Sequence, residues 1–319
     1  MKTILITGGA GFIGSHLCKR LLNENNNIIC IDNLFSGYME NIQDLINNKN
    51  FKFIQHDIIN KIEIDESIDE IYHLACPASP KFYQKDPLFT LKTCFEGTYN
   101  ICELAILKNA RILFTSTSEI YGDPLIHPQK ENYWGNVNTI GIRSCYDEGK
   151  RIGETILTEF HRNKQLNIQI ARIFNTYGPN MSPSDGRVIT NFVSQYIEQQ
   201  DITIYGNGSQ TRSLCFINDT VDGIIKLMNL CKYSGPVNIG NPIELTINEI
   251  NEIIRKHFFF SKSKTIYLDL PQDDPKCRKP DISKAKELLN WEPKILFKDG
   301  LNSTIKFIKL KLQTKKLHM

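Results

Sequence analysis

Short runs of β-branched and apolar residues recur along the chain at Lys2 to Ile6, Ile28 to Ile31, Phe51 to Ile54, Glu70 to Leu74, Arg111 to Phe114 and Ile168 to Ile173. Runs of this length read as buried strands, and longer helix-like segments stand between most of them. The alternation predicts an α/β fold with a parallel sheet covered on both faces. After the first run, Ile13, Leu17 and Leu21 fall four apart on one helix face, and the polar stretch Asn23 to Asn27 ends that helix.

Beyond about residue 175 the texture changes to loops rich in Gly, Pro, Asn and Ser (Gly178 to Gly186, Gly206 to Ser209, Gly240 to Pro242), with short helices such as Ile247 to His257. The division expected is a sheet domain over 1–175 and a smaller, mainly substrate-binding part over 176–319, with a segment near 213–240 returning to the sheet. The Lys-rich stretch after Lys309 reads as a fraying helix. The chain carries no internal repeat.

Composition narrows the function classes. With 319 residues, 41% hydrophobic and 23% charged, the chain is an ordinary globular protein. A formal net charge of +3 without a basic, aromatic-interleaved stripe argues against nucleic acid as partner and leaves room for an anionic small molecule. Nine cysteines are scattered without a C-x-x-C pair, which speaks against a zinc site and a disulfide framework and for a reducing compartment. No histidine and carboxylate stand at metal-ligand spacing, so no metal is expected. The first strand starts two residues after Met1, leaving no room for a signal peptide, and no apolar run approaches the roughly 20 residues of a membrane span. A cytoplasmic protein is the expectation.

The chemistry begins where the first strand runs into Gly8-Gly9-Ala10-Gly11-Phe12-Ile13-Gly14. Backbone must approach a pyrophosphate closely there, and the following helix offers free N–H groups and its positive dipole end. Asp32, at the end of the second strand, can bind the two ribose hydroxyls and would repel a 2′-phosphate, so the cofactor expected is NAD and not NADP. Asp57, after the third strand, either reaches the adenine or caps its own loop. Tyr146 and Lys150 lie four apart, on one face if helical, where an ammonium lowers the phenol's pKa toward the working range. Ser116-Thr117-Ser118-Glu119 directly follows the fifth strand, at the sheet edge where open α/β folds place their ligands. His73 reads as a satisfied core residue and Cys145 as a packed neighbour of Tyr146, not a nucleophile.

Glycine turn, hydroxyl segment and Tyr/Lys pair, in this order, resemble the extended short-chain dehydrogenases/reductases. Thr115 to Pro124, Tyr133-Trp134-Gly135 and Cys145 to Arg151 narrow the resemblance to UDP-glucuronate decarboxylases. So do Ala171 to Pro179, Asp185 to Val188, Gly208 to Arg212 and Arg278-Lys279-Pro280-Asp281. The likeness extends from Lys2 to about Ile308, and it implies a Rossmann-type doubly wound sheet with a smaller C-terminal substrate-binding domain. It implies Tyr146 as the base at the C4 hydroxyl, Lys150 holding the nicotinamide ribose, Thr117 on the C4 oxygen, and Ser118 and Glu119 near C5. Arg278 falls near the sugar carboxylate and Arg212 on the diphosphate. Cofactor contacts are expected from Gly8, Gly11, Phe12, Ile13, Gly14, Asp32, Asn33, Asp57, Ile58, Leu74, Ala75 and Thr93, with Tyr146 and Lys150. Asn175, Arg187, Val188, Tyr205 and Gln210 are expected on the UDP-sugar. The resemblance also implies a homodimer through the Tyr146 helix and one over roughly Thr90 to Leu107.

The rival is a dTDP-glucose 4,6-dehydratase. Those enzymes typically carry Thr-Asp-Glu where this chain has Thr117-Ser118-Glu119, and a serine cannot protonate a departing hydroxyl at neutral pH. A nucleotide-sugar 4-epimerase and a non-enzymatic NAD-binding sensor share the fold and stay as further alternatives. One departure from the family pattern stands out: Tyr38-Met39 follows Gly37 where relatives often carry a basic pair, which puts that loop's phosphate contact in doubt.

Overall fold

The computed structural model describes residues 1–270 and 277–317. Its first half runs β1 (Thr3–Thr7), α1 (Phe12–Asn23), β2 (Asn27–Asp32), β3 (Phe51–Gln55), β4 (Glu70–His73), α2 (Pro80–Tyr83), α3 (Pro87–Lys92), α4 (Thr98–Lys108), β5 (Arg111–Thr117), α5 (Ser144–Lys164) and β6 (Ile168–Ile173). The second half runs β7 (Thr176–Tyr177), α6 (Val188–Ile197), β8 (Ile202–Tyr205), β9 (Thr211–Ser213), β10 (Cys215–Phe216), α7 (Ile217–Met228), β11 (Val237–Ile239), β12 (Glu244–Thr246), α8 (Ile247–Arg255), β13 (Thr265–Leu268), α9 (Ser283–Leu289) and α10 (Phe297–Leu317).

Seven strands form one parallel sheet in the order β11-β6-β5-β4-β1-β2-β3. The order reverses between β1 and β4, so the chains leaving these strands diverge and open a crevice at their carboxyl ends. This is the Rossmann-type, doubly wound α/β fold. The strands are nearly all buried, as expected of a sheet covered on both faces. One layer packs Leu17, Cys18 and Leu21 of α1 and Val221 and Ile224 of α7; the other packs Ile101 and Ala105 of α4 and Ile156 and Leu157 of α5. The first layer's core continues without a break into Phe192, Ile204, Ile250 and Leu301 of the C-terminal part.

Several expectations shift. β5 runs three residues beyond Phe114, through Thr117, because β6 keeps pairing with it as far as Thr117↔Ile173. The helix expected from about Thr90 starts at Pro87, where Asp86 accepts a hydrogen bond from the Phe89 N–H, and passes through a π turn at Thr93–Gly97 before α4. β11 joins the sheet beside β6. The loop-rich C-terminal texture conceals three two-stranded pairings, β7 with β10, β9 with β12 and β8 with β13. Residues 271–276 of the expected smaller part, and the last two of the Lys-rich tail, lie outside the described residues. Among the described residues no helix is long and apolar enough to cross a membrane, and no cluster of His, Cys, Asp or Glu suits a metal.

Candidate active site

A cavity of about 600 Å³ lies over the carboxyl ends of β1, β2, β4 and β5, closed on the far side by the C-terminal part. All of the sequence-derived candidates line it: the glycine turn with Phe12 and Ile13, Asp32, Asn33, Asp57, Ile58, Leu74, Ala75 and Thr93; Thr117, Ser118, Glu119, Tyr146 and Lys150; and Asn175, Arg187, Val188, Tyr205, Gln210, Arg212 and Arg278.

The turn between β1 and α1 is built by close approach. Gly8 has φ +71°, and a Cβ on it would stand 2.8 Å from the Ala75 nitrogen; one on Gly14 would stand 2.1 Å from the Gly8 carbonyl oxygen. Gly11 precedes α1 without a side-chain cap, so the first N–H groups of the helix face the cavity without an internal acceptor. Asp32 accepts from the Ala10 and Leu34 N–H groups at 3.0 and 2.8 Å, while burial pushes its carboxyl above the usual range. These residues fit a dinucleotide: a cradle that side chains would fill, with a carboxylate for ribose hydroxyls beside it. Of the two readings of Asp57, the loop cap is the one seen directly. The residue lines the cavity, and it caps its own turn by accepting from Ile59 N–H and Asn33 Nδ2, each at 3.0 Å. Tyr38 donates its N–H to the Ala10 carbonyl, so the loop that lacks the basic pair is pinned to the glycine turn by backbone.

His73 is fully buried between Thr7 Oγ1 (2.8 Å) and Thr98 Oγ1 (3.0 Å), and burial lowers it to about 3, so it is a neutral core residue. Cys145 is a buried neighbour of Tyr83 and Tyr146.

Tyr146 and Lys150 share one buried face of α5. The expected depression of the Tyr146 phenol is not what the structure shows: burial, then the Cys76 charge, holds it well above its ordinary value, opposed by a hydrogen bond to Thr117. Lys150 Nζ instead donates to the Thr115 carbonyl at 2.9 Å and lies 4.7 Å from the Phe114 ring centre. Tyr83 stacks on Tyr146 with ring centres 5.1 Å apart and planes 4° from parallel. Its buried hydroxyl has no hydrogen-bond partner among the described residues.

Beside the phenol lies a charged cluster. Arg278 grips Glu119 through both carboxylate oxygens, at 2.5 and 2.6 Å, and Arg143 Nη2 adds a third contact at 2.7 Å. Burial alone would raise Glu119, but the two guanidinium groups outweigh it and hold the carboxyl down at about 2. Arg278, expected near a sugar carboxylate, is thus first of all the partner of Glu119. Arg143 and Tyr83 are cavity residues that the sequence reading missed. Arg143 stands one residue ahead of α5, and only the folded chain brings it to Glu119.

Across the cavity, Arg187 Nη2 donates to the Ala78 carbonyl at 2.7 Å and Nε faces Asp185 Oδ2 at 3.3 Å. Gln210 Nε2 donates to the Tyr205 carbonyl at 2.6 Å, and the buried Arg212 donates to the Thr211 carbonyl at 2.8 Å. Asn175 is held through its carbonyl, which accepts from the Cys215 N–H at 2.9 Å.

A glycine cradle facing a Tyr/Lys pair on the next layer, on a seven-stranded parallel sheet with a C-terminal addition, defines an extended short-chain dehydrogenase/reductase. A family model described as GDP-mannose 4,6 dehydratase matches residues 5–304, and the chain belongs to that family. Within it the chain belongs with the UDP-glucuronic acid decarboxylases. It is 52% identical to UDP-glucuronic acid decarboxylase 3 of Arabidopsis thaliana over 299 residues, 93% of this chain and 86% of that protein. With UDP-glucuronic acid decarboxylase 1 of Danio rerio it shares 47% over 312 residues, 98% of this chain and 74% of that one. Among solved structures, a UDP-glucuronic acid 4-epimerase from Bacillus cereus in complex with UDP-glucuronic acid and NAD matches with TM-score 0.87 at 31% identity, over 97% of this chain and 99% of that one. A dTDP-glucose 4,6-dehydratase from Streptomyces venezuelae, 23% identical with TM-score 0.88 over 98% of each chain, shares the fold.

Proposed function

We propose that this protein is a UDP-glucuronate decarboxylase that uses NAD and makes UDP-xylose through a 4-keto intermediate. The single observation that carries the choice between decarboxylase and dehydratase is Ser118, buried in the cavity wall beside Glu119. A serine hydroxyl is no acid for a departing hydroxyl at neutral pH, and Glu119, clamped by Arg143 and Arg278 and held down at about 2, does not take over that part. A dehydratase needs such a donor; a decarboxylase does not.

NAD is held by the Gly8 to Gly14 turn, Asp32 and Lys150, with Asn33, Asp57, Ile58, Leu74, Ala75 and Thr93 along its length. When bound, oxidised NAD supplies the hydride acceptor for C4 and a positive charge that favours the ionised phenol. Tyr146 removes the C4 hydroxyl proton, and Thr117, already bonded to Tyr146, orients the C4 oxygen. With C4 a ketone, the C5 carboxylate is β to a carbonyl and leaves as CO₂, the charge passing to an enolate that Thr117 and Tyr146 stabilise as donors. Arg278 and Arg143, two cations against one carboxylate, keep the pocket positive where the sugar carboxylate enters. Protonation at C5 and reduction at C4 complete UDP-xylose. Asn175, Arg187, Val188, Tyr205, Gln210 and Arg212 hold the nucleotide, so that the smaller part, 176–319 apart from the returning 213–240, is the substrate half.

The enzyme is a homodimer in this reading. Leu88, Leu91, Phe95 and Tyr99 stand exposed along the helical stretch from α3 to α4, and Ile152 on α5, as an apolar surface fit for a second copy. Nine free thiols suit a cytoplasmic setting.

The test is incubation of purified protein with UDP-glucuronate and with dTDP-glucose, read by mass spectrometry. Loss of one CO₂ from the first with no net NAD consumption is expected. Loss of water from the second with the first unchanged would establish a dehydratase instead, and an isomer of unchanged mass from UDP-glucuronate would establish a 4-epimerase.

A further inference from the structure

The loop after β4 and the π turn after α3 bring two cysteines together in the wall of the cavity. Cys76 Sγ and Cys94 Sγ are 3.3 Å apart, and both thiols are free. Cys76 lines the cavity and is partly exposed, whereas Cys94 is buried behind it. Cys94 also presses on α5: a Cβ added at Gly149, between Tyr146 and Lys150, would fall 2.9 Å from its sulfur. We propose that Cys76 and Cys94 form a peroxide-responsive dithiol, whose closure to a disulfide switches off the neighbouring site.

The two sulfurs are unlike. Burial pushes Cys76 up, but its hydrogen bond with Cys94 and the Lys150 ammonium outweigh it and leave the thiol below its ordinary value. Cys94 is held well above its own, first by that hydrogen bond and then by burial. A thiol held below its ordinary value, in a residue that lines the cavity and beside a resolving thiol, is the arrangement that hydroperoxides oxidise selectively. The Cys76 thiolate attacks one oxygen of hydrogen peroxide; the O–O bond breaks, giving a sulfenic acid and a hydroxide that leaves as water after taking a proton. Cys94 sulfur then attacks the Cys76 sulfur, the S–O bond breaks, and the hydroxyl departs with the Cys94 proton as a second water. Two thiols are oxidised and one peroxide is reduced.

A disulfide of about 2.05 Å is more than 1 Å shorter than the present 3.3 Å separation, so closure draws the Leu74 to Cys76 loop and the π turn toward each other. Leu74, Ala75 and Thr93 move with them, and a displacement of about 1 Å beside reacting groups costs up to roughly a hundredfold in rate. That consequence rests on the function proposed above; the disulfide itself does not.

The full-length protein is treated with hydrogen peroxide and followed by intact mass, by peptide mapping, by NAD calorimetry and by turnover of UDP-glucuronate. Expected are a loss of about two mass units, a cross-linked pair of peptides carrying Cys76 and Cys94, a fall in turnover of roughly tenfold or more, and recovery of all with dithiothreitol. In Cys94→Ser the resolving thiol is gone, so Cys76 proceeds to sulfinic and sulfonic acid and dithiothreitol no longer rescues; a thermal melt before treatment checks that this variant is folded. Both cysteines remaining open to alkylation after peroxide overturns the dithiol. A disulfide that leaves turnover and NAD binding unchanged overturns its coupling to the site. The mass and alkylation readouts hold whatever the substrate is, so failure of the decarboxylase reading is told apart from failure of the dithiol.

Discussion

Glu119 and Asp147 are carboxyls in one charged neighbourhood, and they titrate in opposite directions. Two arginines hold Glu119 at about 2, whereas Asp147, next to Tyr146, is pushed up to about 7, first by burial and then by the charge of Glu119. Asp147 Oδ1 has no hydrogen-bond partner among the described residues. A folded-state value above the unfolded one means stability that is full below about pH 4 and is lost as pH rises through about 7. Asp147→Asn should remove that loss, so its unfolding free energy gains on the unaltered protein by on the order of 2 kcal/mol between acidic and alkaline melts. Parallel pH profiles for the two proteins would rule this out. Tyr146→Phe keeps the stack on Tyr83 but removes the proton acceptor, so turnover should fall by at least about a hundredfold while NAD binding, read by calorimetry, persists. Retained turnover would remove Tyr146 as the base.

Helix α1 shows how one element makes half of a site. Its apolar face packs Leu17 and Leu21 under the sheet, which fixes where its uncapped N-terminus points. Gly14 lets that first turn lie against the Gly8 carbonyl. In Gly14→Ala the added methyl meets backbone, which cannot swing aside as a side chain would. The expected outcome is a loss of about 1–3 kcal/mol in denaturant unfolding, with NAD binding lost; a variant that binds NAD normally would show that the turn does not cradle the cofactor. On the other side of the sheet the π turn at Thr93–Gly97 inserts an extra residue into an otherwise continuous helix. It is there that Thr93 reaches the cavity and Cys94 reaches Cys76.

For the molecule as a whole, one core runs from the α1 layer into the C-terminal part, so the two walls of the cavity belong to one packed body. Hydrogen bonds from Lys81 to the Ser184 carbonyl and from Asn180 to Ser15 Oγ stitch them at the rim. The exposed apolar row from Leu88 to Tyr99 is the surface left over after that packing. A charge in it should weaken a homodimer without touching the core: Phe95→Asp is expected to run as a monomer in light scattering, with an unchanged circular dichroism spectrum. A dimer of undiminished strength would place the contact elsewhere.

The sequence by itself determined what neighbours a few residues apart decide. The strand runs, the glycine turn with Asp32, and the Tyr146–Lys150 pair follow from the periods of strand and helix, which are local properties. Their family-level likeness extended that reading to many residues of the cavity wall, though not to Tyr83 or Arg143. Shorter elements escaped it: β8, β9, β12 and β13 span three or four residues each, too few for a period to register. The end of β5 escaped as well, because its length depends on the partner strand and not on its own residues. Charge states needed the tertiary structure most. Glu119 and Arg278 are 159 residues apart, and the two ends of that ion pair meet only after folding. Whether a carboxyl is ionised at about 2 or neutral to about 7, or a thiol is poised against another, depends on burial and on which charges the fold carries to its side.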